Sequence, residues 1–137
     1  MERGVEGPVW GEKIEDGCVR LRNRGVAGCD GFDSITPAHD IGAPVVELHT
    51  GEYANATARE SAENELLRLK EASTFSQSLG LVVNAGHGLT KFNVAPIAAI
   101  EGMNELNIGH SLIARSLMVG LPAAVKEFRE IMDRGCR

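Results

Sequence analysis

The stretch ELNIGHSLIARSLMVG, residues 105–120, changes from a strand-like run to a helical run within a few residues. ELNI (105–108) predicts a short strand, and we predict that Ser111 caps the helix that follows it. Gly109 and His110 stand at the change. Because the first turn of a helix has unsatisfied backbone N–H groups and a partly positive dipole end, this point predicts a phosphate-binding site.

The same alternation of strand and helix occurs twice before this stretch. VVELH (45–49) predicts a buried strand, and apolar residues at helical spacing predict a long amphipathic helix over 58–79. LVVN (81–84) predicts the next strand and 93–100 a short helix, while a last amphipathic helix begins near Pro122. This order predicts an α/β fold whose parallel strands are joined by crossover connections.

Composition excludes several classes of function. The chain has 137 residues, 19 Asp and Glu against 14 Lys and Arg, and 4% aromatic residues, so nucleic acid is not an expected partner. No apolar run approaches the ~18 residues that a membrane span requires. The three cysteines form no CxxC pair, so we expect neither a disulfide framework nor a zinc ribbon, and we predict a cytoplasmic protein.

The segment 1–38 differs from the rest of the chain. It is rich in glycine and shows no sustained period of 2 or 3.6, so we predict coil. Our hypothesis is that 1–38 is foreign to the domain or out of frame, and that 39–137 forms the functional domain.

Polar residues cluster at the predicted strand ends. Glu47 and His49 share one face of the first strand, His87 follows the second, and Gly109 with His110 follows the third. Ligands of parallel α/β sheets and barrels lie beyond these carboxyl ends. The residues leave two chemistries open, namely acid–base work on phosphorylated substrates with a histidine proton donor, or a zinc site with three imidazoles.

Four stretches carry a resemblance to a known family: IGAPVVELHTGEYA, LVVNAGHGLT, NVAPIAAI and ELNIGHSLIARSLMVGL. In this order they resemble the carboxyl-terminal part of the pyridoxine 5′-phosphate synthases, (β/α)8-barrel enzymes of vitamin B6 biosynthesis. The resemblance runs from about residue 38 to residue 134. It implies that the chain forms about the last three βα units of a TIM barrel, a fold that needs ~250 residues when complete.

The resemblance also implies a reaction and its residues. The family condenses 3-amino-2-oxopropyl phosphate with 1-deoxy-D-xylulose 5-phosphate to pyridoxine 5′-phosphate, phosphate and water, without a metal; we therefore expect no cofactor and disfavour the zinc site. By resemblance, His87 is the proton donor and Glu47 stabilises the transition state. Gly88, Gly109 and His110 contact the amino-ketone phosphate.

The motifs of the family's first half are absent from this chain, so we expect a truncated or partial version that does not turn over alone. The main alternative is a non-catalytic phosphate-binding half-barrel that needs a partner chain, and the third is a metal-dependent barrel hydrolase. Because a partial barrel leaves strand edges unpaired, we also predict a homo-oligomer.

Overall fold

The computed structural model describes residues 12–13, 19–21, 25–29 and 31–135. Within these residues the strands are β1 Glu12–Lys13, β2 Val19–Leu21, β3 Gly25–Cys29, β4 Val45–His49, β5 Val82–Gly86 and β6 Met103–Asn107. The helices are α1 Phe32–Asp40, α2 Gly51–Asn55, α3 Arg59–Ser78, α4 Val94–Ala98, α5 His110–Val119 and α6 Leu121–Gly135.

The strands form one sheet in the order β1-β2-β3-β4-β5-β6. The first three strands pair antiparallel, whereas β3 to β6 are all parallel, which confirms the predicted α/β class. In register, Glu47 lies beside Asn84 and Gly86 lies beside Asn107. Parallel pairing places the carboxyl ends of β4, β5 and β6 at one edge of the sheet.

The prediction of coil over 1–38 is wrong for the parts of this segment that the structure describes. Gly25–Cys29 is a strand that pairs parallel with β4, and Phe32–Asp40 is a helix that buries Ile35 and Ala38. Its sequence, GVAGC, does not alternate between apolar and polar residues, so no local pattern predicts a strand. The strand is defined by its pairing with β4. The other residues of 1–38 lie outside the described ranges, and so does the prediction of coil for them.

One face of the sheet forms the core. Alternate residues of β4 and β5 are buried there against α3, and the helix contributes Leu69 and Ala72. The strand residues of this face are Val46, Leu48, Val83 and Ala85. As predicted, Glu47 and His49 therefore share the opposite face of β4.

The opposite face is polar and only partly buried in the described part of the chain. Glu47 and Asn84 are half-buried there, and Glu105 and Asn107 are exposed. Parallel sheets are normally covered on both faces. In a (β/α)8 barrel, helices cover the outer face of the sheet, and the opposite side of the closed sheet covers the inner face. This half-covered parallel sheet is consistent with a partial barrel.

The predicted element boundaries hold for the long elements and shift for the short ones. α3 occupies almost the whole predicted range 58–79, and Gly80 follows it with φ +78°. β6 begins at Met103, earlier than predicted, and α4 ends at Ala98 instead of residue 100. Short elements depend on tertiary contacts more than on local pattern, so their ends move most.

The last helix, α6, is amphipathic, as predicted. α6 buries Ala124 and Phe128 and packs against α4 and α5. Among the described residues, no helix combines the length and the apolarity needed to cross a membrane.

Candidate functional site

Thr50, the residue after β4, joins the ends of β4 and β5. Its side chain is fully buried, and Oγ1 lies 2.7 Å from the carbonyl oxygen of Gly86 and 2.6 Å from that of His87. Its backbone N–H donates to the same Gly86 carbonyl at 2.8 Å. One residue therefore bonds to the last carbonyl of β5 and lies within bonding distance of the first carbonyl of the following loop, and so fixes where this loop starts.

The loop after β5 turns sharply at His87 and Gly88, which have φ values of +88° and +72°. Histidine tolerates this left-handed region better than most residues, and glycine enters it without cost. A Cβ atom at Gly88 would lie 2.6 Å from Cβ of Ala54 in α2, so the loop packs directly on that helix. The His87 ring stacks on the His49 ring, with 4.6 Å between centroids and 29° between planes.

A cavity of about 460 Å³ lies between the ends of β5 and β6. Four of the five predicted site residues line it, namely His87 and Gly88 on one wall and Gly109 and His110 on the other. The remaining lining residues are Leu89, Thr90, Asn107, Ile108 and Ser111.

Glu47, the fifth predicted residue, lies on β4 and does not line the cavity. Its Oε2 accepts a hydrogen bond of 2.5 Å from Nδ2 of Asn107, which does line the cavity. Gly86 lies between the two strands at this point, and a Cβ there would be 2.9 Å from both Glu47 Oε1 and Asn107 Cβ. The glycine is required because it leaves room for the carboxylate to reach the strand that carries Asn107.

The predicted cap at Ser111 is wrong. α5 begins at His110 with Gly109 as its N-cap residue, and Oγ of Ser111 donates to the carbonyl oxygen of Leu89 instead. Since Leu89 belongs to the opposite wall, this hydrogen bond connects the two sides of the cavity. The helix start keeps its backbone N–H groups uncapped by side chains, as an anion-binding helix end requires.

The loop between β5 and α4 is held by hydrogen bonds of its own. Oδ1 of Asn93, the N-cap residue of α4, accepts from the N–H of Thr90 at 2.7 Å and so does not cap the helix. Tyr53 of α2 donates its hydroxyl to the Asn93 carbonyl at 3.0 Å. Burial raises the pKa of Tyr53, so the phenol remains a protonated donor.

The histidines do not form a metal-ligand set. His49 stacks on His87 on one side of the cavity, and His110 lies on the other. Within the described residues, no group of three or more His, Cys, Asp or Glu side chains could hold a metal ion. The zinc site with three imidazoles that the sequence left open is therefore not found among the described residues.

Sequence reasoning missed the roles of three residues that shape the site. These are Thr50, Asn107, and Ser111, whose hydroxyl donates from one wall of the cavity to the other. Asn107 had a usable signal, because it lies two residues after Glu105 at the end of a strand and therefore shares its face. Thr50 and Ser111 had none, since their partners lie far away in the sequence.

Comparison with known proteins identifies close relatives. A sequence model of the family described as "Pyridoxal phosphate biosynthesis protein PdxJ" matches residues 28–134. The pyridoxine 5′-phosphate synthase of Legionella pneumophila (strain Corby) is 59% identical over 101 residues, which are 74% of this chain and 41% of the relative. The synthase of Neisseria meningitidis serogroup C / serotype 2a (strain ATCC 700532 / DSM 15464 / FAM18) is 56% identical over 100 residues, 73% of this chain and 41% of the relative. The chain thus spans less than half the length of the curated relatives it matches.

Thr50→Val removes the hydroxyl but keeps the shape of the side chain. Because it leaves buried carbonyl oxygens with fewer donors, we expect a loss of about 1–3 kcal/mol in the free energy of unfolding, measured by urea denaturation. Thr74→Val is the matched control, since that hydroxyl bonds only to the Lys70 carbonyl on an exposed helix surface. An equal loss in both variants would contradict the role assigned to Thr50.

Proposed function

Because the chain belongs to the PdxJ family of pyridoxal phosphate biosynthesis proteins, we propose that it provides the phosphate-binding and proton-donating part of a pyridoxine 5′-phosphate synthase barrel. The reaction is the condensation of 3-amino-2-oxopropyl phosphate with 1-deoxy-D-xylulose 5-phosphate, which releases phosphate and water. The observation that carries this proposal is the shared cavity, in which His87, Gly88, Gly109 and His110 meet between β5 and β6.

The cavity suits a phosphorylated substrate. It has room for a small phosphate ester, and its second wall is the uncapped first turn of α5. Gly109 leaves this turn open, because nothing lies within 4 Å of where its Cβ would be. Phosphate oxygens can therefore approach the backbone N–H groups closely, while His110 adds a side-chain donor.

His87 is suited to the proton-transfer steps. It lines the cavity, Thr50 holds its backbone carbonyl, and the stacked His49 ring limits where the imidazole can move. Loss of hydroxyl or phosphate from the substrates is faster when the leaving oxygen receives a proton, and histidine is the usual donor near neutral pH. Glu47 accepts a hydrogen bond from Asn107, a lining residue of the cavity. Its carboxylate would stabilise the positive charge that an amine acquires when it condenses with a ketone.

A non-catalytic half-barrel that needs a partner chain is the second candidate. It is supported by the exposed apolar residues that lie on and next to α5, among which Leu117 is 83% and Met118 79% exposed. In the described residues β6 pairs only with β5, so its other edge is open. Exposed apolar patches of this kind mark interaction sites. The cytoplasmic location and the homo-oligomeric state stay predictions from the sequence.

His87→Asn tests the proton donor. Asparagine tolerates the positive φ of this position, so the fold should be preserved. In a full-length context that supplies the part of the relatives not covered here, we expect formation of pyridoxine 5′-phosphate to fall about 10²–10⁴-fold while phosphate binding persists. His39→Asn, on the exposed surface of α1, is the control. A fall of less than about threefold would contradict the assignment.

Gly109→Val tests the phosphate site. The open space around Gly109 accepts the new side chain in the free protein, but the side chain would then occupy the approach of the phosphate. We expect affinity for inorganic phosphate, measured by calorimetry, to fall about tenfold or more, since a lost hydrogen bond to a charged group costs about 1.5–3 kcal/mol. Gly31→Val is a matched control at the N-cap of α1, where a Cβ also meets nothing. Unchanged affinity in Gly109→Val would exclude this site.

Restoration of turnover by the missing part of the barrel separates the two candidates, because only the first expects it. We expect the isolated chain to self-associate and to form no detectable pyridoxine 5′-phosphate, because its apolar surface and open strand edge lack partners. Addition of the portion of the Legionella pneumophila synthase that the chain does not cover should restore turnover, and Leu117→Glu should prevent this. Leu67→Glu, at an exposed position of α3, is the control. A monodisperse monomer with normal turnover would contradict both the surface assignment and the need for a partner.

A further inference from the structure

Glu127 on α6 connects two elements that come from different parts of the chain. One carboxylate oxygen lies 3.1 Å from Nζ of Lys91 in the loop after β5, and the other lies 2.7 Å from Nε of Arg115 on α5. The three side chains are about one-third exposed, at 29%, 30% and 36% respectively. We call this set the Glu127 clamp.

Each cation of the Glu127 clamp is attached to one wall of the cavity. Lys91 directly follows Thr90, the last lining residue of the first wall. Arg115 lies one turn after Ser111 in the helix whose first turn forms the second wall. Glu127 itself does not line the cavity. The clamp therefore joins the two walls without itself lining the cavity.

The clamp differs from the other ion pairs of α6 and α3. Lys126–Glu130, Arg59–Glu63 and Arg68–Glu65 each join residues about one turn apart on a single helix, and the first two pairs are more exposed than the clamp. Such pairs contribute little. Hydrogen bonds from Arg115 and then Lys91 lower the pKa of Glu127, so its carboxylate stays charged through the neutral range.

We propose that Glu127 is a positioning residue for the phosphate cavity: through Lys91 and Arg115 it sets the separation between the loop after β5 and the first turn of α5. It acts without touching the ligand. This inference rests on the proposed function only for the identity of the ligand, since no part of the clamp is a ligand contact of the proposed reaction.

The test compares Glu127→Gln with Glu130→Gln, a change of the same kind on the same helix that breaks only a one-turn pair. Hydrogen exchange in the ligand-free chain reports on the loop, where the N–H groups of Thr90, Phe92 and Val94 are all bonded within the loop. Calorimetry with inorganic phosphate reports on the cavity. We expect faster exchange over residues 88–94 and phosphate affinity reduced about two- to fivefold in Glu127→Gln only.

Two further variants separate positioning from general stability. Lys91→Met removes the loop arm alone, and Arg115→Met removes the helix arm alone. If the clamp acts as a unit, adding Glu127→Gln to Lys91→Met should weaken phosphate binding much less than Glu127→Gln does in the wild-type chain. If Glu127→Gln does not fold, the Lys91→Met and Arg115→Met variants carry the same comparison.

The outcomes are distinct. Wild-type exchange and affinity in Glu127→Gln, or equal effects in Glu130→Gln, would overturn the positioning role. Fully additive effects of Lys91→Met and Glu127→Gln would overturn it as well. If the wild-type chain does not bind phosphate, the proposed ligand is wrong, whereas the exchange comparison still decides whether Glu127 orders the loop.

Discussion

The buried hydroxyl of Thr50 is the contact on which the site depends. It donates across 36 residues of sequence to the carbonyl at the end of β5 and lies equally close to that of His87. In a parallel sheet the strand ends have no hairpin turn to align them, so their loops must be fixed by contacts between side chains and backbone. Thr50 supplies such a contact, and the left-handed turn at His87 and Gly88 begins where it acts.

Hydrogen bonds and ion pairs hold the walls of the cavity in place. Ser111 bonds to Leu89 across the cavity, Asn107 bonds to Glu47 outside it, and Glu127 bridges Lys91 and Arg115. These contacts join different β/α units of the sheet. A site built from two units in this way is sensitive to how they pack, which is why a residue outside the cavity can influence it.

The polar face of the sheet is unfavourable for stability, but it is useful for function. A parallel sheet ordinarily buries both faces in apolar contacts, yet this one presents Glu47, Asn84 and Asn107 on its second face. That face cannot form an apolar core by itself. In a closed barrel it would point inward, where a carboxylate near the strand ends lies beside the reaction space.

The sequence by itself determined β4, β5, α3 and the order of the βα units, because alternation and helical spacing report directly which side of an element is buried. It also indicated the strand-end residues that meet in the cavity, since parallel strands end at one edge. Only the tertiary structure decided that the glycine-rich Gly25–Cys29 is a strand, that Ser111 bonds to Leu89 and does not cap its helix, and that Glu127 reaches Lys91. These features depend on partners distant in the sequence, and local periodicity contains no information about which distant elements will meet.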